Sequence, residues 1–135
     1  MGRMRSEDFN LLMIAIQKLY VFGTYLKCKT DKTRREILLQ HQLLWLSTEV
    51  FFKAKNYFVY EQDIHCTNSE VQTFQNLDRN NRLNSIKYYD HLIDNLVKCT
   101  MEINTLPYSV KHFINSHAKR SSYIIFKNRK HLKPI

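Results

Sequence analysis

The sequence predicts an all-α fold, a three-to-four-helix bundle with a long, largely buried central helix and a short basic C-terminal tail. Three observations lead there. Gly2, Gly23, Pro107 and Pro134 are the only glycines and prolines in 135 residues, too few for the turn that an all-β fold needs roughly every 8–12 residues. Apolar residues make up 44% of the chain and aromatics 13%, which is core-forming material that disordered chains lack. Apolar positions also recur at three- and four-residue steps through most of the sequence, the period of a helix with a buried face. A chain of this length can enclose one core. The bundle is assigned to 1–126 and the tail to 127–135.

The first helix is expected over 7–28. Ser6 supplies a capping oxygen, and Glu7 and Asp8 lie on the positive end of the helix dipole. Phe9, Leu12, Met13, Ile16, Leu19, Tyr20, Gly23 and Leu26 follow at helical spacing. Its apolar stretch Leu11–Leu26 is short for a bilayer and is interrupted by Gln17 and Lys18. No membrane partner is expected.

The second helix is expected from a cap at Thr30-Asp31 to about residue 61. Its apolar residues come in clusters seven apart, Leu43-Leu44-Trp45-Leu46 and Val50-Phe51-Phe52 among them. Adjacent helical residues diverge by about 100°, so such clusters point several ways at once. A helix apolar nearly all round is a buried one. This segment is therefore expected to be enclosed around Trp45, either as the centre of the bundle or against another chain. Leu38, Leu44, Trp45, Phe51, Phe52 and Phe58 are the candidate interface residues.

A third helix is expected over 69–104, started by Ser69-Glu70 and open to a break in the Asn-rich run Asn76–Asn81. Leu83, Ile86, Tyr89, Ile93, Leu96, Thr100 and Ile103 form a single stripe on it. Pro107 ends it. Ser109 is read as the cap of a short helix carrying Val110, Phe113, Ile114 and His117 to about Arg120. Tyr123-Ile124-Ile125-Phe126 fits a helical turn, a strand or a segment that packs on a partner.

The net charge of +9 is concentrated at the ends. Residues 1–35 carry eight Lys/Arg against three acids, 36–102 carry six against nine, and 103–135 carry seven against none. Such ends attract phosphates, anionic lipids or an acidic protein face. Lys119, Arg120, Lys127, Arg129, Lys130 and Lys133 are the candidate nucleic-acid-binding residues. The three cysteines Cys28, Cys66 and Cys99 are odd in number and widely spaced, the usage of a reducing compartment. The expected location is intracellular, in nucleus or cytoplasm.

No metal or cofactor is expected, because no histidine or cysteine pair has ligand spacing: His112 and His117 are five apart rather than four. Arg35 and His41, separated by five residues, resemble the Arg-x(4–6)-His element of the HEPN ribonucleases, which are all-α and basic. That resemblance implies that His41 handles the 2′-hydroxyl proton and Arg35 holds the phosphate. A chain with eight arginines and six histidines produces about one such spacing by chance. The leading expectation is a non-enzymatic helical interaction or adaptor module, a subunit of a larger or homo-oligomeric assembly with a protein partner. Direct nucleic-acid binding through the basic ends comes second, and the ribonuclease third.

Overall fold

The computed structural model describes residues 4–118. Over that range the chain is helical throughout its regular structure: α1 Ser6–Cys28, α2 Arg34–Lys55, α3 Asn68–Arg79, α4 Ser85–Glu102 and α5 over 108–118. The all-α class is as the sequence predicts. Five helices stand among the described residues where three or four were expected. Tyr123–Phe126, the 127–135 tail and the six candidate nucleic-acid-binding residues, Lys119, Arg120, Lys127, Arg129, Lys130 and Lys133, lie outside the described residues.

The extra helix comes from a full stop inside the expected 69–104 segment. Asn80 caps α3, and Asn81 takes the left-handed conformation with φ 56°. The amide of Arg82 then donates to the Leu77 carbonyl at 2.8 Å and that of Asn81 to the Asp78 carbonyl at 3.0 Å. This pair of bonds is a Schellman turn, and asparagine tolerates the left-handed position better than most residues. Asn84 restarts the chain by accepting from the Lys87 amide.

The central helix is α1, which corrects the expectation for the second helix. It packs against α2, α3 and α4, and Phe9, Leu12, Ile16, Leu19, Phe22 and Leu26 on it are fully buried. Gly23 permits the closest approach: a Cβ there would meet Leu44 at 3.0 Å and Leu43 at 3.1 Å. By length and composition α1 is also apolar enough to cross a membrane. In this fold most of that apolar surface is covered by the other helices, with 61% of its most apolar window buried.

Helix α2 is one-sided. Leu39, Leu43, Leu46, Val50, Phe51 and Ala54 face the core, a repeat of three and four residues. The helix stops at Lys55 rather than running to residue 61. Beyond it, Phe58 and Tyr60 turn back onto Phe9 of α1, Phe58 stacked on it at 4.6 Å between ring centroids and Tyr60 tilted against it at 5.0 Å. Aromatic side chains lose rotamer freedom in a helix, and here a non-helical link buries them better.

The expected caps are displaced too. Thr33 and Thr67, not Thr30-Asp31 and Ser69, cap α2 and α3, each in a reciprocal capping box with the glutamate three residues on, Glu36 and Glu70. Ser6 is the first residue of α1, and Arg5 is its cap without a side-chain bond.

Two polar clamps tie opposite ends of the bundle. At one, buried Glu36 accepts from Lys29 at 2.8 Å and from Ser85 at 3.2 Å, while Tyr25 donates to Asp78 at 2.9 Å. That joins the C-termini of α1 and α3 to the N-termini of α2 and α4. At the other, buried Asp8 accepts from the Thr105 hydroxyl at 2.6 Å and pairs with Arg5 at 3.3 Å. This holds the start of α1 to the α4–α5 link.

Candidate interaction surface and groove

The residues of α2 that do not face α1 form its outer flank. Leu38, Trp45 and Phe52 lie on it at steps of seven and are 45%, 43% and 57% exposed. Seven residues advance about 10 Å along a helix and drift only about 20° around it. The three therefore make a nearly straight apolar stripe, and exposed Ile37 widens it beside Leu38.

The other candidate interface residues turn inward. Phe51 is 1% exposed and belongs to the core. Phe58 is half-buried on Phe9, and Leu44 closes over Gly23. Phe51 and Phe52 were indistinguishable as sequence neighbours, but about 100° of helical turn separates them. The surface of Phe51 is used within the bundle, whereas Phe58 and Leu44 are half-buried there.

Helix α5 covers part of the same flank. Its apolar stripe Val110, Ile114 and Ala118 is buried, and it runs antiparallel to α2, from Ser109 beside Tyr57 to His117 beside Trp45. Ser109 does not cap it as expected. The Pro107 carbonyl accepts from the Val110 and Lys111 amides, and the Ser109 hydroxyl instead shares a 3.0 Å hydrogen bond with Tyr57. Trp45 meets Phe113 at 5.7 Å and His117 edge-on at 4.6 Å. Within one copy, then, Trp45 is enclosed on the α5 side and open on the other.

Between the C-terminal end of α2 and α5 lies an open groove of about 640 Å³. Lys53, Asn56 and Tyr57 form one wall; Tyr108, His112 and Phe113 lie on the other. The Lys53 ammonium sits 4.7 Å above the Phe113 ring centroid, and it makes no ion pair among the described residues. Tyr108 is 79% exposed and lies nearly parallel to His112, 18° between planes at 5.7 Å. No carboxylate is among the groove's described lining residues. Sequence reasoning missed this groove because its walls come from segments more than 50 residues apart. The only hint was the absence of acids after Glu102.

Arg35 and His41 do not converge. Both lie on the uninterrupted α2, where six residues mean about 9 Å of rise and about 120° of rotation. His41 is exposed, whereas Arg35 is half-buried. Its Nε is buried without a hydrogen-bond partner.

Cys66 and Cys99 are quiet nucleophiles. Burial pushes Cys99 up to about 11 and, with Glu70 nearby, raises Cys66 as well. Among the described residues no three His, Cys, Asp or Glu side chains gather as a metal site. Comparison with family models, with curated proteins and with solved structures found no match to this chain.

Proposed function

We propose that this chain is a non-enzymatic helical interaction module, docking a helical protein surface on the outer flank of α2 and so serving as a subunit or adaptor in a larger assembly. The observation that carries the reading is the stripe of Leu38, Trp45 and Phe52, each more than two-fifths exposed. Single exposed apolar residues are ordinary, but an aligned row of large ones favours a binding surface. Its seven-residue step suits a partner helix lying along α2. An aromatic anchor such as Trp45, backed by Phe113, has the character of an interface hot spot.

Light scattering coupled to size-exclusion chromatography tests this. A mass above that of one chain marks self-association, and a single chain that retains another protein from native extract marks a different partner. Leu38→Asp with Phe52→Asp should abolish either association while leaving the thermal melt intact, since both residues are exposed. A monomer with no copurifying partner and no binding of a hydrophobic dye overturns the reading. So does an assembly that survives the double substitution.

A further inference from the structure

We propose that the groove between α2 and α5 binds single-stranded nucleic acid, with bases stacking on its aromatic wall and Lys53 meeting a phosphate. Four features support it together. The volume of about 640 Å³ lies in the range of ligand sites, roughly 300–1,000 Å³. Lys53 is held in place by the Phe113 ring with its charge uncompensated by any described acid. Tyr108 and His112 form a parallel pair whose outer face is open to solvent. A base can extend that stack as a further ring, a contact open to any base because all have a π-face. The Tyr57–Ser109 hydroxyl pair keeps spare donor and acceptor capacity beside the cation, suited to a sugar or a base edge.

An acidic protein segment would also be drawn to Lys53. It would have no use for the exposed ring pair, and the parallel Tyr108–His112 geometry is what favours an unpaired base. Duplexes keep their base faces stacked internally, so the groove discriminates against them. The carboxylate-free segment that follows Glu102 adds positive charge close by in sequence. On its own that charge would bind any polyanion.

The test is fluorescence anisotropy with the full-length chain and a labelled oligothymidylate of about 12 nucleotides, a length within single-strand site sizes. Parallel titrations use the same strand annealed to its complement, and polyglutamate as a polyanion without bases. The single strand should bind most tightly and lose about tenfold or more in affinity between about 50 and 200 mM salt. Tyr108→Ala should weaken single-strand binding about tenfold and leave the residual polyanion affinity unchanged. Lys53→Gln should reduce the salt dependence. Trp45 is the only tryptophan in the chain and touches Phe113 and His117 of the groove, so its fluorescence should change with the single strand alone. Tyr108 is too exposed for its loss to unfold the bundle, and an unchanged thermal melt verifies that. Equal binding of duplex or polyglutamate, indifference to Tyr108→Ala, or no binding at all overturns the proposal. Leu38→Asp should not affect it, so the groove and the α2 stripe stand or fall separately.

Discussion

Phe51 and Phe52 are neighbours in sequence, yet one is 1% exposed and the other 57%. Truncating the buried ring leaves a cavity in the core. Phe51→Ala should therefore lose about 3–5 kcal/mol of stability, whereas Phe52→Ala should stay within about 1 kcal/mol. Urea unfolding of the two variants checks both values. Gly23 makes a related point. Alanine is favoured over glycine within a helix by about 1 kcal/mol, but a Cβ at 23 would sit 3.1 Å from the Leu43 Cβ, an atom fixed to its own backbone. Overpacking costs about 1–3 kcal/mol. Gly23→Ala should therefore be net destabilising by about 1 kcal/mol, measured in the same way. From sequence Gly23 could be placed in the first helix; the closeness of a second helix could not.

The helices themselves divide into parts that local chemistry determines and parts that it leaves open. The start and end of α1 and the buried stripe of α4 were legible because dipole-matched charge or regular spacing acts within a few residues. The break at Asn80–Asn81 was legible as a warning, since clustered asparagines favour turns. Thr33 and Thr67 were passed over although each is followed by a glutamate three residues on, the signature of a capping box. Those two glutamates were the local signal for both starts. Thr33→Ala and Thr67→Ala should each cost about 1 kcal/mol. The Thr33 change should be the more disruptive, because its partner Glu36 is also held by Lys29 and Ser85 in the buried clamp. Circular dichroism melts of the two variants rank them.

At the scale of the whole molecule, stability should depend on pH through the two clamps. The Thr105 hydroxyl and Arg5 hold the Asp8 carboxyl below its ordinary value. Burial alone would raise Glu36, but Lys29, the Thr33 amide and Ser85 outweigh it and bring it below the ordinary value as well. The folded chain thus binds fewer protons than the unfolded one in mild acid. Both contributions are complete above the ordinary carboxylate range, about pH 4, and are lost as pH falls through the depressed values. Burial tends to lower Lys29, yet Glu36 and Asp78 lift it above its ordinary value. Tyr25 is raised by burial and by Asp78. These two contributions are whole below about pH 10 and lost as pH rises through the elevated values. Thermal midpoints should form a plateau near neutrality with a fall on each side. Glu36→Gln should lower the plateau and flatten the acid limb, and a limb of unchanged steepness would count against the clamp.

By itself, the sequence determined the all-helical class, the extent of the first helix and the crowding of positive charge at the chain's ends. Composition and short-range spacing act locally, and no fold of this chain could change them. Only the tertiary structure decided that α1 and not α2 lies at the centre, that Phe51 turns in while Leu38, Trp45 and Phe52 turn out, and that α5 leaves a groove beside Lys53. Those outcomes depend on which helix comes to rest against which. A helix apolar on several sides offers more than one face to the core, and the choice belongs to its neighbours.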